Sequence, residues 1–240
     1  MDQQHLEKLS PDVRDFVLST ECKTKIKIAV IEDPKRNECG HDRKGTLCCN
    51  VTPNSITICA PTTGYFPDGG VVHEVLHARR LLIDKVPRLA EPENHPWDSV
   101  TRAAMTNLDN ALEHLFIIPE ELNKRPERRE YWHEQLRHLL LQDLQLCQDK
   151  AAQRQAAAIY WMLLKLVLAE PRTCAEVKLH LENLGLLNFA NNYLNDAVIA
   201  RESKEQLTKK TFDFFNIPRY FANFEYYEFR TRTSISIDDL

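Results

Sequence analysis

The sequence His-Glu-Val-Leu-His at residues 73–77 contains residue types that bind metals, at a spacing that suits one ion. Residues four apart on an α-helix differ by about 40° in direction and about 6 Å in height, so the imidazoles of His73 and His77 can reach the same ion. Zinc accepts imidazole nitrogens and, in catalytic sites, keeps one coordination position for water. The spacing therefore predicts a zinc-binding helix rather than a surface helix with two solvated histidines.

Glu74 has the position of a general base in this predicted site. It is adjacent to His73 and lies about 60° around the helix from His77, close to a zinc-bound water without being a ligand. Zinc lowers the pKa of such a water, and a carboxylate can take its proton and return it to the leaving amine. A second segment, His133 to His138, spaces its histidines five apart, about 140° around a helix, so these two cannot share an ion.

A catalytic zinc needs a third protein ligand, which we expect on the helix that follows. The longer metzincin motif has a glycine three residues and a histidine six residues after the second histidine. Arg80 and Ile83 occupy those positions here, which excludes that motif. An acidic ligand is the natural alternative, and Glu113 is the predicted third ligand. The alternatives to Glu113 are His114, Asp109 and His95.

The helix segment at residues 108–115 places further polar groups near the predicted ligand. Asn110, Glu113 and His114 occupy positions i, i+3 and i+4 and share one helix face. With Glu113 on zinc, Asp109 or Asn110 could orient a ligand histidine through its second ring nitrogen. His114 could donate a hydrogen bond to the oxyanion that forms during hydrolysis. We therefore predict His114, with the glutamate of the motif, as a catalytic residue; an ordinary polar helix face is the alternative.

The strand, loop and metal helix from Ser55 to His77, followed by a helix with Glu113, resemble the gluzincin class of zinc metallopeptidases. In compactness this part of the chain looks most like the small metallopeptidase domains of the ImmA/IrrE type. The resemblance covers roughly residues 25–118, and its one specific element is His-Glu-Val-Leu-His. It implies peptide-bond hydrolysis with zinc as the cofactor. It also implies a sheet edge, at Ser55 to Ala60, that binds a peptide by strand addition.

The predicted elements run in the order strands, metal helix, further helices, which is an α+β arrangement. We expect a small zincin-type sheet packed on a pair of metal-binding helices, followed by a mainly helical C-terminal region. Residues 1–120 would form the metallopeptidase-like core, and residues 121–240 a helical region packed on it or continuous with it. The predicted helices are 1–20, 69–84, 97–115, 127–149, 150–169, 172–185, 188–195 and 196–215, and the predicted strands are 25–31, 46–52 and 55–60.

Charge and cysteine content limit the expected partners and compartment. The net charge is −4, with acidic and basic residues interspersed, so no clustered positive face for nucleic acid is predicted. The N-terminus lacks a signal-peptide pattern, and the most apolar stretch, residues 156–169, is too short to span a bilayer. Seven cysteines fit free thiols in a reducing compartment better than a disulfide framework. We expect a cytoplasmic protein without a membrane or nucleic-acid partner.

A second zinc site can be considered at Cys39, His41, Cys48 and Cys49. Their spacing matches no standard zinc pattern, and adjacent residues in a strand point to opposite faces of the sheet. We interpret them as loop residues together with one core cysteine.

The sequence leaves two classes of function open. A zinc-dependent hydrolase, most simply a metallopeptidase, would cleave a peptide or protein substrate. The alternative is an interaction or regulatory module of zincin fold with a structural or sensory metal site. Three protein ligands and an open water position favour catalysis, whereas a fourth ligand such as His95 would close the site. A hydrolase of non-peptide substrates would share the ligands and differ in its pocket.

Overall fold

The computed structural model describes residues 1–39, 45–228 and 230–239, and the chain forms two compact units. The first unit comprises Met1–Arg88, Asn123–Arg125 and Glu225–Thr233, and the second comprises Leu89–Leu122, Pro126–Phe224 and Ser234–Leu240. The predicted α+β class is confirmed, because helices predominate and the strands form small sheets.

The first unit contains the helices and strands that precede and carry the histidine motif. They are α1 (Gln3–Glu7), α2 (Pro11–Thr24), β1 (Ile28–Glu32), β2 (Cys48–Thr52), β3 (Ser55–Ala60) and α3 (Asp68–Leu82). The three strands form one sheet in the order β1-β3-β2, with β1 parallel and β2 antiparallel to β3. Both α2 and β2 pack against α3. The motif helix is therefore enclosed by elements that come before it in the chain.

The expectation that Ser55–Ala60 forms a sheet edge is wrong. This strand, β3, is central: Ile58 lies opposite Val30 of β1 on one side and opposite Cys49 of β2 on the other. Ile56 and Ile58 are fully buried, as expected for a strand with neighbours on both sides. Alternating apolar residues predict a strand with one buried face, but they do not indicate how many strands pair with it. The outer strands of this sheet are β1 and β2.

Helix α3 is the best-buried helix of the first unit. Val71, Val75 and Ala78 have no exposed surface. Asp68, expected to cap the helix, lies in its first turn, and its carboxylate accepts hydrogen bonds from Ser10 N–H at 3.2 Å and from Arg125 at 2.7 Å. These contacts fix the start of α3, while the apolar side chains fix its rotation.

The second unit is mainly helical, as predicted for the C-terminal half. Its helices are α4 (Ser99–Lys124), α5 (Arg128–His138), α6 (Leu144–Leu146), α7 (Lys150–Leu163), α8 (Pro171–Asn183), α9 (Leu187–Ala200) and α10 (Lys204–Phe215), with π-helical turns at Leu139–Asp143 and Leu164–Leu168. The last two residues of α4, Asn123 and Lys124, belong to the first unit. Among the residues that the structure describes, no helix combines the length and apolar character needed to cross a membrane.

Helix α4 continues nine residues past its predicted end at Leu115. It passes through Pro119 and ends at Lys124. A proline inside a helix removes one backbone hydrogen bond, but Ile117, Ile118 and Leu122 on this stretch are buried. Apolar burial on both sides of the proline keeps the helix continuous.

The second sheet has the order β4-β5-β6, with strands β4 (Arg88–Ala90), β5 (Asn223–Glu228) and β6 (Thr231–Ser236). β4 lies within residues 85–98, which we expected to be a loop because that stretch contains three prolines. Three residues are too few for a periodic pattern, so β4 gives no signal in the sequence. The C-terminal residues from Asn223 to Ser236 contribute the other two strands.

We expect Ile58→Ala to lower the free energy of unfolding by about 2–5 kcal/mol, because it leaves a cavity beneath a strand that is paired on both sides. Ile31→Ala is the matched control, since Ile31 belongs to the same sheet and is 49% exposed; a change of about 0.5 kcal/mol or less is expected there. Urea denaturation measures both. Equal losses in the two variants would contradict the central position of β3.

Candidate metal centre

The two histidines of α3 face each other at a distance suited to one ion. Their Nε2 atoms are 3.2 Å apart, and their ring centroids are 4.9 Å apart with the rings nearly perpendicular. Two nitrogens bound to one tetrahedral zinc, each about 2.0–2.1 Å from it, would lie about 3.3 Å apart. His73 is buried and His77 is partly exposed. The pair therefore has the spacing of two zinc ligands on one side of a helix.

His114 is the third imidazole considered as a ligand. It lies on α4, the helix that we expected to provide the third ligand. We predicted His114 as an oxyanion donor and its neighbour Glu113 as the ligand, with His114 among the alternatives. The motif pair and His114 would together offer three nitrogens, which is a zinc-type set.

Glu113 is engaged by a buried lysine. The ammonium group of Lys204, at the start of α10, lies 2.7 Å from the Glu113 carboxylate and 2.8 Å from that of Asp109. Burial alone would lower the pKa of Lys204, but the two carboxylates more than offset this and the pKa is raised. Burial raises the pKa of Asp109, and Lys204 compensates only part of that rise. The lysine thus remains charged and balances one of the two negative charges on this face of α4.

Glu74 is buried in α3, with 9% of its surface exposed, and it lies close enough to β2 to affect two thiols there. Burial raises the pKa of Cys48 and of Cys49, and the charge of Glu74 raises both further. Since β2 is an outer strand, a free strand edge runs near the predicted general base. Both shifts favour the protonated thiol, which is a poor zinc ligand.

The ring of His114 is packed against an indole. The His114 and Trp132 ring centroids are 5.2 Å apart in an edge-to-face arrangement, with 64° between the planes. The indole N–H of Trp132 donates to Glu121 at 2.9 Å, and Glu121 also accepts from Arg128 at 2.7 Å. Glu121 has no exposed surface. A chain of contacts therefore leads from Arg128 through two buried groups to His114.

The other residues considered as ligands, His95 and Asp109, contact other groups. The exposed ring of His95 packs against the rings of Tyr220 and Phe221, with centroids 5.2 Å and 5.4 Å away. Asp109 contacts Lys204, as described above, and Asn110 is exposed. For the second zinc site considered from the sequence, His41 lies outside the described residues. None of Cys39, Cys48 and Cys49 belongs to a metal-type cluster among the residues that are described.

Comparison of the chain with protein-family models, with curated proteins and with solved structures found no match. The geometry of the motif histidines, and of the groups around Glu74 and around His114, is therefore the basis for the function proposed below.

Sequence reasoning missed Lys204 and Glu121. Lys204 follows the helix-capping residue Ser203, and a lysine at the start of a helix usually points to solvent. Glu121 lies beside Glu120 in a stretch that we expected to be outside the helix. The burial of Lys204 has no local signal, because its partners Asp109 and Glu113 are distant in the chain. The partners of Glu121 follow it by 7 and 11 residues, but helical periodicity does not show that they turn towards it. Trp132 is buried, and its contact with His114 was not predicted.

We expect Lys204→Met to lower the free energy of unfolding by about 3–5 kcal/mol, because it leaves two largely buried carboxylates without their cation. Lys178→Met is the control: Lys178 is 59% exposed, and its pair with Glu182 spans 3.7 Å on the surface of α8. A change below about 1 kcal/mol is expected there. Thermal or urea denaturation measures both, and a loss in Lys204→Met no larger than in Lys178→Met would contradict the buried ion-pair network.

Proposed function

We propose that the chain is a zinc-dependent hydrolase of the metallopeptidase type, with zinc bound by His73, His77 and His114. The observation that carries the proposal is the 3.2 Å separation of the His73 and His77 Nε2 atoms. Three nitrogen ligands leave the fourth tetrahedral position for water, as catalytic zinc requires.

We assign the third ligand to His114 in place of Glu113. The Glu113 carboxylate is 2.7 Å from the Lys204 ammonium, and a carboxylate already neutralised by a buried cation is a weaker ligand. His114 offers a neutral nitrogen, so zinc would keep its full charge of +2 among its ligands. A higher charge on the metal lowers the pKa of its water more strongly.

Glu74 is the proposed general base. A bound zinc ion would supply a water of lowered pKa and a Lewis acid for the scissile carbonyl. Glu74 follows His73 directly on α3, so its carboxylate lies on the side of the helix that faces the ion. It would accept a proton from the attacking water and deliver it to the leaving nitrogen. Its burial excludes bulk water from competing for its oxygens.

An extended peptide is the proposed substrate class, and β2 replaces β3 as the proposed binding edge. β2 is an outer strand that packs on α3, and its thiols respond to the charge of Glu74. The carbonyl of Val51 accepts from Arg88 and Tyr227, so the proposed edge is the part of β2 before that residue. A peptide paired there would place a backbone carbonyl near the general base.

A structural or sensory metal site is the competing function, and the position of His95 argues against it. A structural zinc has four protein ligands, with no position for water. His95, the fourth ligand considered from the sequence, packs against Tyr220 and Phe221 instead.

Metal analysis tests the ligand set. We expect about one zinc per chain in the purified protein, lost in His77→Ala because two imidazoles hold a catalytic zinc poorly. His138→Ala is the control, since His138 belongs to the similar segment with the wrong spacing; its ring lies 3.3 Å from Asp143. Zinc retained by His77→Ala, or lost equally from both variants, would refute the site.

Glu74→Gln tests the general base. We expect the variant to bind zinc normally but to lose peptide hydrolysis by a factor of about 10²–10⁴, because the amide accepts no proton. Glu134→Gln, in the segment with the wrong histidine spacing, should keep full activity. Mass spectrometry of a mixed peptide library measures cleavage. Undiminished cleavage by zinc-loaded Glu74→Gln would remove Glu74 from the mechanism.

A further inference from the structure

We infer that Trp132 is a positioning residue for His114, and that the buried pair of Glu121 and Arg128 serves to fix the tilt of its indole. This inference rests on the proposed role of His114 as a zinc ligand. It assigns a function to a buried charge that the hydrolytic mechanism itself does not use.

The first support is geometric. The indole edge contact leaves the His114 ring restricted in rotation about its χ2 angle, because the two centroids are only 5.2 Å apart. Aromatic rings prefer this edge-to-face arrangement to a parallel one. A ligand imidazole must point one nitrogen at the ion, so a neighbour that limits ring rotation prepares the site for binding.

The second support is the burial of Glu121. A carboxylate with no exposed surface is expensive to desolvate, and replacing a buried ion pair by apolar residues is often neutral or stabilising. Stability alone therefore gives little reason to keep Glu121 at this place. The bond from the indole N–H to Glu121, 2.9 Å long, gives a specific reason, because it sets the plane of the ring that contacts His114.

The ion pair is itself held rigidly. Arg128, 14% exposed, donates to Glu121 at 2.7 Å, and its guanidinium lies 3.7 Å from the centre of the Tyr131 ring. Tyr131 in turn packs edge-on against Trp132. Each residue in this series contacts the next one, so Trp132 is held by Glu121 at its N–H and by Tyr131 at its ring.

Trp161 provides a matched comparison within the second unit. It is also buried, 3% exposed against 6% for Trp132, and its indole N–H also donates to a side chain, Asn191, at 2.9 Å. It belongs to α7, and the charged group next to its ring is Lys165, 5.5 Å from the ring centre. Replacing either tryptophan by phenylalanine removes one indole hydrogen bond from the core, but only one of the two changes touches His114.

The experiment is a zinc-affinity measurement on Trp132→Phe and Trp161→Phe by competition with a chromophoric chelator. We expect Trp132→Phe to bind zinc roughly 10-fold or more weakly than the unchanged protein, as for other residues that orient a ligand. Trp161→Phe should bind within about 2-fold of it. Melting temperatures measure the stability that each variant loses. If the losses are comparable, a purely structural role would affect the two affinities equally.

A double variant keeps the test decisive if Trp132→Phe does not fold. Glu121→Leu with Arg128→Leu removes the ion pair as a unit, which preserves the fold better than removing one partner, and it takes away the acceptor of the indole N–H. We expect it to remain folded with weakened zinc affinity. In the cobalt-loaded form, the visible absorption of the Co²⁺ ion should shift as the His114 ring relaxes.

The outcomes separate this inference from the function on which it rests. Failure of the unchanged protein to bind zinc would overturn both. Tight zinc binding by the unchanged protein, with equal affinities in Trp132→Phe and Trp161→Phe, would overturn the positioning role alone. Unaltered affinity and cobalt absorption in the double variant would do the same.

Discussion

Two imidazoles one helical turn apart can share an ion because the helix fixes their spacing, and the packing of the first unit fixes the direction in which they point. Val71, Val75 and Ala78 of α3 are completely buried, so the helix cannot turn without exposing them. The strand β2 and the helix α2, which precede α3 in the chain, pack against it. The 3.2 Å separation of the two Nε2 atoms therefore follows from helix geometry, and ordinary apolar packing sets the side to which the pair faces.

Helix α4 carries three acidic side chains close to His114, the residue proposed to bind a cation. Asp109 and Glu113 contact Lys204, and Glu121 contacts Arg128. Each carboxylate thus contacts a base from a later helix, and Lys204 is shared by two of them. Acidic groups left without such partners would compete with His114 for a metal, or would be protonated on burial. The internal cations keep the imidazole as the available donor.

Local patterns in the sequence indicated the parts of the site that depend on one helix. The four-residue spacing of His73 and His77 and the adjacent Glu74 follow from helix geometry alone, and α3 has nearly the predicted limits. The segment with Glu113 and His114 was placed on a helix for the same reason. Helical periodicity does not tell which of two neighbouring side chains faces a distant partner, so the preference for Glu113 could not take Lys204 into account. The pairing of β3 on both sides also depends on contacts between segments.

The thiols of β2 have a further consequence for metal selection. Thiolates bind soft transition metals more strongly than imidazoles do, so cysteines near the histidine motif would be rival ligands if they ionised. Burial raises the pKa of Cys48 and Cys49, and the negative charge of Glu74 raises both further, so both effects favour the protonated, weakly coordinating form of sulfur. The same carboxylate that is proposed to activate water would thereby disfavour capture of the ion by its own neighbouring cysteines.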